Sequence, residues 1–299
     1  MFLVSGPELV VAACKAGIVG SFPTASCRTE SELSEWMNAI VAGLGEADSC
    51  VPWAANLVTH STNGRLSGHL DLVAQYKPPI VVTALGSPKP VIDIVHAYGG
   101  LVIADVPDLK LARKAVDAGA DGLACIAAGA GGHTGYLSPF SFIASVREFF
   151  DGLLIVGGGI AEGAGIAGAV AAGADLVYVG TRFLASVESR ASAAYKRMVV
   201  ECGTADLVVS AALTGSAASW LKPSLDALGI NLDTSVRPDF SGRARWRDIW
   251  SAGQGLQVVR SIEPVGTIVE ELAAQYAEAV SRFGRVGEFG RSRSMVQQT

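Results

Sequence analysis

The sequence is short of charge and of long apolar runs, and each shortage excludes a class of protein. Charged residues make up 17% of the 299 positions, against roughly 25% in an average soluble domain, and half of the residues are hydrophobic. This balance predicts a large buried core. No run reaches the ~18 apolar residues that cross a bilayer, because Glu8 and Lys15 interrupt the most apolar stretch. We therefore expect no membrane partner.

Cysteine, basic clusters and metal-ligand patterns are equally sparse. The five cysteines are scattered and never spaced as C-x-x-C, which predicts reduced thiols and a cytoplasmic location. A net charge of −5 without a basic patch argues against nucleic acid as a partner. No two histidines have metal-ligand spacing, and no Walker sequence or G-x-S-x-G elbow occurs, so we predict no metal site.

One phrase recurs along the chain, in which a helix-like segment stops at a glycine and an apolar run follows. Its copies are 16-AGIVGS-21, 98-YGGLVIA-104, 118-AGADGLAC-125 and 172-AGADLVYVG-180. Glycine accepts the left-handed conformation that ends helices, and apolar runs without alternation suit strands that are buried on both faces. The repetition predicts alternating helices and parallel strands.

Seven strands are predicted, near residues 17–21, 52–58, 80–85, 100–106, 121–127, 153–157 and 175–180, and Met1 to Val4 is the candidate stub of an eighth. Eight such units close a TIM barrel, whereas fewer leave an open doubly wound sheet. We predict an α/β TIM (β/α)8-type barrel over 1–202. A loop-rich lid or insertion with a closing helix follows over 203–283, and a disordered tail over 284–299.

Two glycine clusters, 157-GGGIAEG-163 and 180-GTRF-183, follow the last two predicted strands. In TIM barrels these two loops commonly bind phosphate through backbone N–H groups, which a Cβ would keep at a distance. The alternative that the glycines only make tight turns stays open. A dinucleotide site of the G-x-G-x-x-G type is excluded, because its sixth position is occupied by Glu162 or Thr134.

His133 lies in 127-AAGAGGHTGYLSP-139, directly after a predicted strand and among four glycines. An imidazole that titrates near neutrality can remove a substrate proton or donate a hydrogen bond to a developing anion. Flanking glycines would let a flat ligand approach the backbone beneath the ring. We therefore predict His133 as the catalytic group and assign structural roles to His60, His69 and His96.

The motifs 129-GAGGHTG-135, 157-GGGIAEG-163 and 180-GTRFLAS-186, in this order and spacing, resemble the nitronate monooxygenase family, formerly called 2-nitropropane dioxygenases. The resemblance runs from Met1 to about Glu270. It implies an FMN-dependent barrel in which His133 is the acid/base or substrate-orienting group. The residues implied to bind FMN are Gly158, Gly159, Gly180 and Thr181 at the phosphate, and Asn56 and Gly132 at the flavin ring.

Two features depart from the family pattern. Relatives normally have a first strand that ends in Pro-Met beside the flavin, and this chain begins at that Met, so the resemblance implies a truncated first strand with Met1 near the cofactor. Some relatives carry a lysine where this chain has Asp105, and an ionised aspartate there would oppose an anionic reduced flavin. Lys89 could supply a positive charge nearby.

The implied reaction is the oxidation of an alkyl nitronate or nitroalkane by dioxygen to a carbonyl compound and nitrite. The partners are then a small-molecule substrate and dioxygen, and a homodimer is left open. One alternative is an FMN-dependent enoyl-thioester reductase, such as an enoyl-acyl-carrier-protein reductase, that uses NAD(P)H. The others are a non-redox barrel enzyme that acts on a sugar phosphate and a flavin-binding protein without turnover.

Overall fold

The computed structural model describes residues 1–45, 51–232 and 245–296, with side chains in the last helix described to Phe283. Helices and parallel strands alternate through most of the chain, as the glycine-ended phrases predict. The parallel strands are β1 Ser21–Pro23, β2 Ala54–Val58, β3 Ile80–Ala84, β4 Leu101–Val106, β5 Gly122–Ile126, β7 Leu153–Gly157 and β8 Leu176–Tyr178. The helices between and before them are α1 Pro7–Lys15, α2 Glu30–Leu44, α3 Leu66–Tyr76, α4 Lys89–His96, α5 Leu109–Asp117, α6 Pro139–Arg147 and α7 Gly163–Ala171.

The seven strands form one curled parallel sheet in the order β1-β2-β3-β4-β5-β7-β8. All pairs are parallel, so every carboxyl end meets the same edge of the sheet; Asn56 pairs with Val82, and Asp105 with Ala124. The concave face carries one apolar cluster, built on Ala54, Val82, Ile103, Ala124 and Ile155. Helices cover the convex face, with two larger apolar clusters beneath them.

The α/β architecture of the TIM type is confirmed, but the eighth strand that we placed at Met1 to Val4 is not formed. Those residues make a turn instead, in which the amides of Val4 and Ser5 both donate to the carbonyl of Met1. A residue that closes a turn in this way cannot extend alongside a neighbouring strand. Within the described residues the sheet is therefore a half-barrel whose edges are β1 and β8.

The glycines at the junctions have the predicted left-handed backbone. Gly119 and Gly173, which follow α5 and α7, have φ angles of +94° and +110°. Two residues after each glycine stands an aspartate whose carboxylate accepts the amide of the second residue of the neighbouring strand: Asp121 from Val102 and Asp175 from Leu154, both at 2.7 Å. The repeated phrase thus ends one helix and also fixes the register of two strands.

A second, antiparallel sheet joins the region after residue 203 to the barrel. Its strands are β6 Gly132–His133, β9 Leu207–Ser210 and β10 Ala218–Leu221, in the order β6-β10-β9. We predicted a loop-rich lid in the region after residue 203. The structure instead contains two strands there, β9 and β10. No local pattern predicts them, because each has only four residues and the sheet depends on the pairing of β10 with the distant β6.

Five further helices complete the described chain: α8 Thr181–Leu184, α9 Ala193–Glu201, α10 Lys222–Asp226, α11 Arg245–Asp248 and α12 Val265–Val296. The backbone of α12 continues as helix into the segment 284–299, for which we predicted a disordered tail; residues 297–299 lie outside the described part. The division at residue 202 stays a prediction. None of the helices in the described ranges is long and apolar enough to span a membrane.

Candidate active site

A cavity of about 1880 Å³ opens at the carboxyl ends of the strands and continues into the concave face of the half-barrel. Ligand sites usually measure roughly 300–1,000 Å³, so this cavity holds more than a single small molecule. It is lined by all nine residues that the sequence singled out: Met1, Asn56, Asp105, Gly132, His133, Gly158, Gly159, Gly180 and Thr181. The structure thus brings these nine together, while their individual roles stay predictions.

The glycine cluster after β7 gives the cavity a floor made of bare backbone. Gly158 has a φ of +151°, and a Cβ placed there would lie 2.6 Å from the carbonyl oxygen of Ala128. The amide of Gly159 already donates to the carbonyl of Gly129 at 3.1 Å, so in this geometry it is not free to bind a phosphate. Gly158 therefore lets the loop after β7 lie closer to the backbone of Ala128 than a residue with a Cβ would allow.

The second predicted loop, after β8, starts helix α8. The Oγ1 of Thr181 accepts a hydrogen bond from the amide of Gly253 at 2.9 Å, which leaves its own hydroxyl hydrogen free to donate. The first-turn amides of a helix have no partner within the helix and attract anions. The loop after β8, with Gly180 and Thr181, therefore supplies hydrogen-bond donors. The glycines of the loop after β7 leave room for a ligand.

Arg182 fixes this loop and was missed by the sequence reading, although it lies inside the quoted motif. Its side chain is buried, and its Nη2 donates to the carboxylates of Glu263 and Glu271, the latter at 2.8 Å. Glu263 precedes α12 and Glu271 lies on it, so the two ion pairs join α8 to the C-terminal helix.

Asn56 and Asp105 form a polar pair across the concave face. The Nδ2 of Asn56 donates to Oδ2 of Asp105 at 3.1 Å, and Oδ1 of Asp105 is buried with no partner among the described residues. Burial raises the pKa of Asp105 to about 7, although the hydrogen bond from Asn56 and the amino group of Met1 oppose the shift. Asp105 is nevertheless among the residues that line the cavity.

Tyr178, at the end of β8, lies close enough to Asp105 to be affected by its charge. The sequence analysis did not select it. Burial raises the pKa of its phenol, and the negative charge of Asp105 raises it further. It lines the cavity and packs against the concave apolar cluster. Its phenol therefore stays protonated and can act only as a neutral hydrogen-bonding group.

His133 stands exposed at the cavity mouth, on a two-residue strand and not on the open loop that we predicted. Its main chain pairs with Ala218 of β10. Protein covers part of the ring, and the loss of water from that part lowers the pKa of His133. The lowered pKa favours the neutral imidazole. The ring of Trp246 packs against it with centroids 5.3 Å apart.

The other three histidines have side-chain partners and do not line the cavity, in keeping with the structural roles that we assigned. His69 bonds Thr24 at 3.0 Å, and His96 bonds Asp121 at 2.8 Å. His60 bonds Thr62, two residues along the chain. Within the described ranges, no cluster of three or more metal-binding side chains occurs.

The donors and space described above fit a planar cofactor that carries a phosphate. A glycine loop in which a Cβ on Gly158 would clash with the backbone, a threonine hydroxyl at a helix start and the side chain of Asp105 all border one cavity. A phosphate would lie against α8, and a flat ring would lie between Asn56 and Gly132. Lys89, at the start of α4, is exposed on the same cavity and could supply a positive charge.

Comparison with known proteins gives the family. A sequence model of nitronate monooxygenase matches residues 46–225, more than half of the chain. The chain belongs to the nitronate monooxygenase family. The resemblance carried by the three glycine motifs is thus confirmed.

Two solved structures resemble the chain over nearly its whole length. A nitroalkane oxidase from Streptomyces ansochromogenes is 27% identical, with a TM-score of 0.79 over 93% of this chain and 94% of that one. FabK from Thermotoga maritima is 26% identical, with a TM-score of 0.81 over 96% and 93%. Both support the TIM-type architecture.

A third relative differs in extent. An octahydroindene-carboxyl-CoA dehydrogenase from Rhodococcus jostii (strain RHA1) is 30% identical over 212 residues, or 71% of this chain. The match spans only 58% of that relative's length. By its name, that relative acts on a carboxyl-CoA compound.

The raised pKa of Asp105 predicts how stability changes with pH. In the unfolded chain an aspartate titrates near ~3.9, so between there and about 7 the folded protein binds more protons than the unfolded one. The contribution of Asp105 is therefore fully present below the unfolded pKa and is lost as pH rises through the folded pKa. Asp105→Asn, which does not titrate, should gain stability relative to the parent protein as pH rises.

The measurement is urea unfolding of cofactor-free protein at about pH 5, 6, 7 and 8, for Asp105→Asn and the parent. Asp71→Asn, at an exposed position on α3, is the matched control and should show no such trend. A stability difference between Asp105→Asn and the parent that stays constant with pH would contradict the shift.

Proposed function

We propose that this protein is an FMN-dependent oxidoreductase that oxidises alkyl nitronates, or their parent nitroalkanes, with dioxygen to a carbonyl compound and nitrite. The observation that carries the proposal is the meeting of His133 with both glycine loops on one cavity. Membership of the nitronate monooxygenase family supports the reaction class. The likeness to a nitroalkane oxidase supports a nitro compound as substrate.

In this proposal Thr181 and the amides at the start of α8 hold the FMN phosphate, and Gly158 and Gly180 let it approach the backbone. Asn56 and Gly132 border the flavin ring, and Met1, which lies near Gly180 and Asp105, borders the same region. When bound, the flavin would supply the redox chemistry of the reaction.

The residues of the chain then have two tasks. Neutral His133 accepts the α-proton of a nitroalkane, or orients a nitronate that is already ionised. A lowered pKa keeps the ring unprotonated at neutral pH and so ready to act as a base. The pKa of about 7 lets Asp105 carry a proton near neutrality, so that it need not oppose negative charge on the cofactor.

An enoyl-thioester reductase that uses NAD(P)H is the second candidate. The Rhodococcus relative acts on a carboxyl-CoA compound by its name, and FabK-like structures are among the neighbours. The cavity is also large enough for a cofactor together with an extended substrate. The two candidates differ in whether a nitronate or NAD(P)H reduces the flavin.

The deciding experiment is the visible spectrum of the purified protein, recorded anaerobically before and after addition of an alkyl nitronate. We expect flavin absorbance that bleaches with the nitronate and returns when oxygen is admitted. Bleaching by NAD(P)H and not by the nitronate would select the reductase. A protein reconstituted with FMN that still shows no flavin absorbance would overturn both candidates.

His133→Ala should lose about 100-fold or more of the turnover on a neutral nitroalkane, because general-base catalysis contributes about 10²–10⁴-fold. It should keep FMN bound, and it should lose less with a preformed nitronate, which has no α-proton to remove. Steady-state oxygen consumption measures both rates. His60→Ala, at an exposed histidine off the cavity, is the control. Unchanged nitroalkane turnover in His133→Ala would refute the role as a base.

Gly158→Ala tests the cofactor floor. Its Cβ would lie 2.6 Å from a backbone oxygen, so the loop must move and FMN affinity should fall by tenfold or more, about 1.4 kcal/mol. Gly165→Ala on α7 is the control, because a Cβ there makes ordinary contact at 3.5 Å. Fluorescence titration of the apoproteins with FMN measures both affinities, and equal affinities would contradict the placement.

A further inference from the structure

The small antiparallel sheet places His133 and a buried tryptophan on the same face. Ala218 of β10 lies directly opposite His133 of β6, and Trp220 follows two residues later. Side chains alternate between the faces of a strand, so Ala218 and Trp220 share a face with the histidine. The ring of Trp220 is fully buried in the cluster formed by the region after residue 203.

Trp246, on α11, packs against both of these rings. Its centroid lies 4.6 Å from that of Trp220, with the rings tilted by 30°. It lies 5.3 Å from that of His133, where an interplanar angle of 72° gives edge-to-face contact. Trp246 also lines the cavity beside Gly132. The cluster behind Trp220 thus supports Trp246, and Trp246 in turn supports the imidazole.

The imidazole of His133 has no hydrogen-bond partner within the described residues, in contrast to His69 and His96. A histidine that acts in catalysis is usually oriented by a hydrogen bond from its second nitrogen to a carboxylate or carbonyl. Here the described contact that can hold the ring is aromatic. Edge-to-face aromatic contacts are favourable beyond the area they bury, so this contact favours one orientation of the ring.

We infer that Trp246 is the positioning residue for His133, and that its edge-to-face contact orients the imidazole with both ring nitrogens open to the cavity. The catalytic consequence rests on the proposed function, whereas the contact and its effect on the histidine do not. Trp246 would also be the wall that limits how far a substrate extends above the imidazole.

No charged side chain described on β10 or α11 accounts for the lowered pKa of His133, so burial of its ring is the influence to test. β10 presents no titratable side chain over Ala218–Leu221. The charged side chains described on α11, Arg247 and Asp248, pair with each other at 2.8 Å. Desolvation is the cause of the lowered pKa of His133. Removing the indole should therefore admit water and raise that pKa toward its ordinary value.

The experiment is an NMR titration of the imidazole resonances in the FMN-loaded protein and its variants. The chain has four histidines, and the His133 signal is assigned by its loss in His133→Ala. We expect the pKa of His133 to rise in Trp246→Leu and to rise less in Trp246→Phe, which keeps an aromatic edge. Trp250→Leu is the matched control: its ring stacks on Tyr195 with centroids 5.0 Å apart, so the pKa of His133 should not change.

A pKa of His133 that stays the same in folded Trp246→Leu would overturn the inference, as would an equal rise in Trp250→Leu. If Trp246→Leu does not fold, Trp246→Phe decides by the same comparison. With a nitroalkane as substrate, Trp246→Leu should lower kcat by about 10- to 100-fold, because a misplaced catalytic group costs up to about that factor. The KM should change less.

The low-pH limb of the rate profile should move up in parallel with the pKa measured by NMR. A kcat that is unchanged while the pKa rises would overturn the positioning role and leave only the packing contact. If no nitronate or nitroalkane reacts in any form of the protein, the proposed function fails, and the NMR comparison still decides whether Trp246 governs His133.

Discussion

The backbone carbonyl of Gly129 joins the segments on which the site depends. It accepts the amide of Gly159, from the glycine loop after β7, at 3.1 Å, and the amide of Gln254, from the C-terminal region, at 2.9 Å. The adjacent Gly253 donates to Thr181 in the loop after β8. The loops after β5, β7 and β8 are thus joined by hydrogen bonds to the C-terminal region at one point. A Cβ on Gly253 would lie 2.5 Å from the same carbonyl oxygen, so the junction requires glycine on both sides.

The open edge of the sheet explains the size of the cavity. A closed barrel of eight strands fills its interior with layers of side chains, whereas seven curled strands leave space on their concave face. Small residues such as Ala54 and Ala124 enlarge that space. The polar pair of Asn56 and Asp105 lies within this largely apolar surrounding, and this burial raises the pKa of the carboxyl group. The architecture of the sheet and the chemistry of Asp105 therefore have one cause.

Sequence reasoning placed six of the seven parallel strands to within about two residues, because buried parallel strands are apolar runs between glycine-ended helices. The first strand was predicted near 17–21 but lies at Ser21–Pro23, where it is only three residues long. Sequence reasoning also brought the glycine loops and His133 to one edge, since parallel strands share their direction. It did not find β9 or β10, because a four-residue strand has too few positions to show a pattern. The contact between His133 and Trp246 depends on that pairing, so no local signal could reveal it.

The region after residue 203 is therefore more than a cover over the cavity, because it directly contacts residues of the site. Through β10 it pairs with the strand that carries His133, and through Trp246 it contacts the imidazole. Through Glu263 and Glu271 it neutralises Arg182 next to the glycine loop after β8. A lid that opened as a rigid unit would have to break all three contacts together. Breaking these ion pairs would leave the buried guanidinium of Arg182 without a counter-charge, so such an opening is costly. Entry to the cavity beside the exposed His133 requires no such break, and the extension then stays a fixed part of the site.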